Sequence, residues 1–94
     1  MRVAFTARHF DAPATLKEYA QKEVNRLKKY YHGILDCEIV LDQEKANQIA
    51  EINLKVYGNT LSVREKSDDI YKSIDAAVSK LERQLKKYKA KFQP

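Results

Sequence analysis

Six basic residues are spaced so that they could form two rows, one on each of two helices. They are Lys22, Arg26, Lys29, Lys80, Arg83 and Lys87. Within each group of three, the steps are three and four residues, which place side chains on one side of an α-helix. Rows of fixed positive charge suit the phosphates of a nucleic acid backbone. A solvated helix face produces the same spacing, so the pattern alone leaves both interpretations open.

The residues that could catalyse a reaction or hold a metal are few and scattered. His9 and His32 end predicted elements and have no serine or second cysteine at a motif spacing. Cys37 falls at an inward strand position, which is typical of a buried, inert thiol. Asp68 and Asp69 could be an acid–base or metal-ligating pair. However, two acids in a first helical turn already have a structural role, because their negative charges interact favourably with the helix dipole. The sequence therefore predicts no enzyme, no metal site and no cofactor.

The tyrosines do not decide between these functions. Helical spacing predicts that Tyr19, Tyr31 and Tyr88 pack into the core. Tyr57 and Tyr71 could stack on nucleobases, although half-burial is the commoner state of tyrosine.

Hydrophobic periodicity predicts six elements that would position these side chains. They are a strand at residues 2–9, a helix at 13–31, strands at 37–41, 50–57 and 61–64, and a helix at 67–91.

Particular residues mark the predicted boundaries. Pro13 fits a first helical position, and Gly33 fits a left-handed helix stop. The polar residues 42–47 predict a loop, and Gly58 with Asn59 predicts a two-residue hairpin turn. Ser67 is the predicted N-cap of the last helix.

The order β-α-β-β-β-α predicts an α+β fold in two layers. Each strand has one apolar face and each helix one apolar stripe, so we expect both helices to pack on one face of a four-stranded sheet. A right-handed crossover through the first helix would make strands one and two parallel, with hairpins joining the rest.

Composition restricts the class of protein further. The 94 residues predict one domain (1–94), with a net charge of +5 and a pI near 9.3. Residues 36–51 are mainly acidic and residues 70–94 mainly basic, a polarity that can orient a molecule on nucleic acid. No run is long enough to span a bilayer, no secretion leader is visible, and one cysteine suits a reducing compartment, so we expect a cytoplasmic protein.

The chain resembles a known family. Residues 69–75 (DIYKSID) and 80–87 (KLERQLKK) are similar to the signature helix of ribosome hibernation-promoting factors and the related ribosome-associated inhibitor A, or protein Y. The first helix, with LKEY at 16–19 and RLKKY at 26–30, and the strand CEIVL at 37–41 also match.

The resemblance implies a fold like that of double-stranded-RNA-binding domains, and a non-enzymatic function. Members bind the small ribosomal subunit in the channel for messenger and transfer RNA, and inhibit translation in stationary phase or stress. The resemblance implies rRNA phosphate contacts for Arg26, Lys29, Lys80, Arg83 and Lys87. Lys22 is added from the helix face alone.

The resemblance also bears on two residues of the last strand and on the oligomeric state. Arg64 and Lys66 on the last strand are candidates for additional rRNA contacts. Long members of the family have a C-terminal dimerisation domain, and we expect this chain to resemble the short class, which lacks it. The short tail 91–94 favours the type that acts with a ribosome modulation factor. We expect a monomer away from the ribosome. The alternatives are a free-standing double-stranded-RNA-binding protein and a protein-interaction module that uses the open sheet face.

Overall fold

Four strands and two helices follow one another in the predicted order, with one additional helical turn. The computed structural model describes residues 1–92. Its elements are β1 (Arg2–Arg8), α1 (Ala14–Asn25), a 3₁₀ turn (Arg26–Lys29), β2 (Ile34–Glu44), β3 (Asn47–Val56), β4 (Asn59–Ser67) and α2 (Ile70–Phe92).

The strands form one sheet in the order β1-β2-β3-β4. β1 pairs parallel to β2, with Val3 opposite Cys37, whereas β2–β3 and β3–β4 are antiparallel. A parallel neighbour requires a long crossover, which here contains α1, whereas the antiparallel neighbours are joined by tight turns. The predicted α+β topology is confirmed.

The core lies between one face of the sheet and both helices. Alternate residues of the strands are buried on this face, and the buried stripes of both helices belong to the same cluster. Its largest fully buried members are Leu27, Ile39, Leu41, Ile52, Leu54, Ile74, Leu81 and Leu85. The other face of the sheet is covered by neither helix, although Val40 and Ile49 on it are buried. A solvent-facing second side is typical of an antiparallel sheet in an α+β domain.

The predicted loop at residues 42–47 is wrong. β2 continues to Glu44 and β3 starts at Asn47, so only Lys45 and Ala46 form the turn. Lys45 has a φ of 57°, the positive value that tight hairpin turns require.

The second hairpin turn is shifted by one residue from its predicted position. Val56 pairs with Asn59, so the turn consists of Tyr57 and Gly58. Gly58 has a φ of 77°, a conformation that glycine adopts without a steric penalty.

Both predicted boundaries of the first helix need correction. Pro13 is the N-cap rather than the first helical residue, and its carbonyl accepts hydrogen bonds from the Leu16 and Lys17 amides at 3.0 and 3.2 Å. At the other end, Gly33 does not have a positive φ. A Cβ at Gly33 would lie 2.6 Å from the Tyr31 ring, so close approach rather than backbone handedness favours glycine there, and a larger residue would displace the ring.

Asp69, not Ser67, caps the last helix. The Asp69 carboxylate accepts the Tyr71 amide hydrogen bond at 2.9 Å, as an N-cap side chain does for the second helical residue. The Ser67 hydroxyl instead lies 2.7 Å from the Ser73 hydroxyl and from the Asp69 carbonyl, so it fixes the approach of β4 to α2.

The tail 91–94, from which the sequence predicts the type of family member, lies partly outside the described residues, which exclude Gln93 and Pro94. Within residues 1–92, none of the helices is both long and apolar enough to cross a membrane.

Candidate nucleic-acid interface

Polar and aromatic contacts hold α1 and α2 side by side. The Tyr19 hydroxyl donates a hydrogen bond of 2.5 Å to Asp75, and its ring meets that of Tyr71 edge-on, with the centroids 4.9 Å apart. Further along both helices, the Lys86 ammonium lies 5.1 Å from the centre of the Tyr30 ring. Because both contacts advance in the same direction, the helices run parallel. The hydrogen bond to the Asp75 carboxylate raises the Tyr19 pKa to about 12.

All six predicted helix cations are exposed, and each lies away from the buried stripe of its helix. They are Lys22, Arg26, Lys29, Lys80, Arg83 and Lys87. With about 100° per residue, Arg83 lies nearly opposite the buried residues Leu81 and Leu85. We call the first three cations the α1 row and the last three the α2 row. Both rows lie on the solvent side of the helix layer.

The 3₁₀ turn changes the shape of the α1 row. Side chains three residues apart eclipse one another in a 3₁₀ helix, whereas they diverge by about 60° in an α-helix. Because this turn spans Arg26–Lys29, the side chains of Arg26 and Lys29 are brought into line along the helix axis. The sequence predicted a single α-helix here and therefore missed this alignment.

Arg26 is partly engaged within its own helix. Its Nη1 lies 3.3 Å from Glu23 Oε1, and the Arg26 side chain is 50% exposed. The Glu23 side chain is 15% exposed, and an i,i+3 surface pair of this kind contributes no more than about 1 kcal/mol, so a phosphate can replace Glu23 as the partner of Arg26. Among residues 1–92, ion pairs are absent for the other five cations.

An acidic seam separates the two rows. Asp75 and Glu82 are seven residues apart on α2 and therefore share one side of it, and the Tyr19 bond shows that this side faces α1. Lys87 lies on the opposite flank, where it borders Leu61 of β4. The rows are thus parallel and outward-facing but not adjacent, which the helical spacing alone did not indicate.

Lys86 is a cation that the sequence analysis left out of the rows. It is exposed and lies over the Tyr30 ring, close to the end of the α1 row. A cation over an aromatic face is stabilised by the ring quadrupole, so its charge is held in place between the helices. The sequence does contain a signal for this placement, because Lys86 follows Arg83 by three residues and therefore lies near it on the surface of α2.

Arg64 and Lys66 are not part of this surface. Both alternate with the core residue Val63 and Glu65 on β4, so they lie on the open face of the sheet. Arg64 is directly opposite Glu51 on β3, in a mixed-charge environment. The structure therefore separates these two candidates from the six helix cations by the thickness of the sheet and the helix layer.

His9, Cys37 and Asp68, which were candidates for catalysis, have contacts or burial typical of structural residues. His9 Nδ1 lies 2.7 Å from Asp42 Oδ1, and this hydrogen bond lowers the Asp42 pKa. Cys37 is 1% exposed, and burial raises its pKa to about 12. Asp68 lies 3.8 Å from Lys72. Residues 1–92 contain no group of three or more His, Cys, Asp or Glu side chains that could bind a metal.

The tyrosines divide into the two groups that the sequence predicts. Tyr19, Tyr31 and Tyr88 are partly buried and pack against the core. Tyr57 is 85% exposed and Tyr71 is 41% exposed, so the half-buried interpretation is wrong for Tyr57.

Comparison with known proteins matches this architecture to one family. Residues 3–93 match the family described as Sigma 54 modulation protein / S30EA ribosomal protein. The chain belongs to this family. A curated S30EA relative from Pseudomonas putida, named ribosome hibernation promoting factor, is 30% identical over 93 residues, which cover 99% of this chain and 91% of the relative.

Solved structures of S30EA relatives have the same fold. A ribosomal subunit interface protein from Coxiella burnetii superposes with a TM-score of 0.90 at 33% identity, covering 96% of this chain and 99% of the other. The N-terminal domain of Protein Y from Thermus thermophilus superposes with a TM-score of 0.87 at 30% identity, covering 94% and 99%.

Proposed function

We propose that this protein is a ribosome hibernation factor that binds the small ribosomal subunit and inhibits translation by occupying the channel for messenger and transfer RNA. The observation that carries the proposal is the pair of outward-facing cation rows on two parallel helices. Family membership and the naming of the relatives as ribosome hibernation promoting factors support the same partner.

The mechanism is occlusion, with no bond made or broken. Phosphate contacts from the two rows position the protein on rRNA, and its rigid two-layer body fills space that the translating ribosome needs. The acidic residues of β2, on the other side of the molecule, disfavour other orientations because like charges repel the RNA backbone. We further propose that the protein is cytoplasmic, is not an enzyme and is monomeric away from the ribosome.

Charge reversal on α2 tests the proposed surface. Arg83→Glu combined with Lys87→Glu should weaken binding to purified small subunits at least tenfold, because two phosphate contacts become repulsive. Both side chains are exposed, so the free energy of unfolding should change by no more than about 0.5 kcal/mol. Co-sedimentation with small subunits and a thermal melt measure the two effects.

The matched control makes the same charge change on the other side of the sheet. Arg64→Glu with Lys66→Glu should reduce binding much less than the α2 pair, since it acts only through the overall charge. Equal losses for the two pairs would show that binding is not localised on the helices. A plain RNA duplex, tested against intact small subunits, separates this function from general double-stranded-RNA binding: similar affinities would favour the latter.

A further inference from the structure

Tyr57 presents an aromatic ring to solvent at the tip of the β3–β4 hairpin. Its 85% exposure exceeds that of Leu35 (48%) and Tyr71 (41%), the other exposed large apolar or aromatic side chains in the described part of the chain. Turn positions are usually filled by small or polar residues, and an unburied ring gains nothing from the hydrophobic effect. Folding therefore does not account for a tyrosine at this position.

The backbone beneath this ring is held in place. The Tyr88 hydroxyl donates a hydrogen bond of 3.1 Å to the Tyr57 carbonyl, which ties the turn to α2. The Asn59 side-chain carbonyl accepts the Thr60 amide hydrogen bond at 2.8 Å. A ligand that contacts the ring thus meets a preorganised turn, so less conformational entropy is lost on binding.

Two more aromatic rings lie beside the turn. Tyr31, Tyr57, Gly58, Asn59 and Tyr88 line a shallow hollow. The Tyr31 and Tyr88 rings meet edge-on, with their centroids 5.5 Å apart and their planes at 87°, and Gly33 lets the Tyr31 ring lie close against the backbone. The hollow is therefore lined by aromatic surface whose geometry is fixed by packing.

The hollow adjoins the α2 row. Tyr88 also lines a second hollow, together with Leu61, Lys87 and other residues of α2. One tyrosine thus borders both the aromatic hollow and the surface around Lys87, a member of the α2 row. A flat apolar surface next to a cation matches the chemistry of a nucleotide, which carries a base beside a phosphate.

We propose that Tyr57 and the hollow beside it bind one unpaired RNA base, while a neighbouring phosphate lies against Lys87. This inference rests on the proposed function and adds a base-stacking contact to the phosphate contacts of the rows. Stacking on tyrosine is tolerant of base identity, because every base has a π face. The exposed area is one ring and a shallow hollow, which suits a single base better than a protein interface.

Substitutions at Tyr57 test the stacking contact on purified small subunits at fixed salt. Tyr57→Ala should weaken binding about 5- to 150-fold, the range for loss of one base–aromatic stack. Tyr57→Leu should weaken it nearly as much, because leucine keeps apolar bulk but has no π face. Tyr57→Phe should bind within about twofold of wild type. The slope of log affinity against log salt should not change, because no charge is lost.

A photo-reactive phenylalanine analogue at position 57 identifies what the ring contacts. A cross-link to rRNA supports the proposal. A cross-link to ribosomal protein alone, or wild-type affinity for Tyr57→Ala, would overturn it while leaving the proposed function intact. If the wild-type protein fails to bind small subunits at all, the proposed function fails and this inference fails with it.

Discussion

Glycine suits position 33 because of a neighbouring ring rather than because of its own backbone angle. A Cβ at this position would lie within 2.8 Å of three atoms of the Tyr31 side chain, whose ring is itself packed edge-on against Tyr88. Relief of that overlap would require the aromatic pair to separate. The sequence pattern of a helix followed by glycine could not distinguish this cause from a left-handed helix stop.

Gly33→Ala should therefore destabilise the protein by about 1–3 kcal/mol, the usual cost of overpacking. In a Tyr31→Ala background the same substitution should cost much less, because the overlapping ring is gone, and a denaturant-unfolding cycle measures the difference. Gly58→Ala is the matched control: it has open space but a φ of 77°, so its cost is conformational and should not depend on residue 31.

At the scale of elements, α2 begins at a side-chain cap whose identity the sequence left ambiguous. Ser67, Asp68 and Asp69 are all suitable capping residues and follow one another, so composition could not choose between them. The choice is made by the hydroxyl of Ser67, which bonds to Ser73 and to the Asp69 carbonyl and leaves Asp69 to cap the helix.

Asp69→Ala should lower the free energy of unfolding by about 1 kcal/mol, the typical loss for an N-cap. Asp68→Ala removes the same charge from the adjacent position but only an exposed contact with Lys72 at 3.8 Å, so it should cost no more than about 0.5 kcal/mol. Thermal or urea unfolding of the two variants compares them directly. Equal costs would mean that charge near the helix dipole, not the capping hydrogen bond, stabilises this end.

Periodicity predicted the elements well and their ends poorly, for a physical reason. The strands and helices were visible because their buried residues alternate or recur on one face. Residues 42–47 looked like a loop because they are polar, yet strand pairing is made by backbone groups that every residue has, and Glu44 pairs with Asn47 regardless of side-chain polarity. The cation rows were predictable, but the acidic seam depended on how α1 and α2 pack, which contacts such as the Tyr19–Asp75 hydrogen bond reveal.

At the scale of the whole molecule, positive charge lies on the helix layer while β2 carries acidic residues on the open face of the sheet. Glu38, for example, is exposed there and accepts a hydrogen bond from Asn53. A polyanion is therefore attracted to one side of the molecule and repelled from part of the other.

This polarity predicts a steep salt dependence. If about five phosphates are neutralised, log affinity for small subunits should fall with log salt at a slope of about −3.5 to −4.5. The variant Arg83→Glu with Lys87→Glu should have a slope smaller in magnitude by about 1.4–1.8, since two contacts are removed. Affinity measured between 50 and 300 mM salt gives both slopes, and a salt-independent affinity would contradict the phosphate-contact surface.

The parallel pairing of β1 with β2 also has a kinetic consequence. The strands β2, β3 and β4 are joined by two turns of two residues each, so they can pair quickly. Pairing of β1 with β2 is slower, because Arg2 and its partner Asp36 are 34 positions apart in the chain. α1 lies within that slow-closing segment. A refolding chain would thus form the surface that carries the α2 row before α1 is docked, and full affinity for RNA should develop only once β1 has paired with β2.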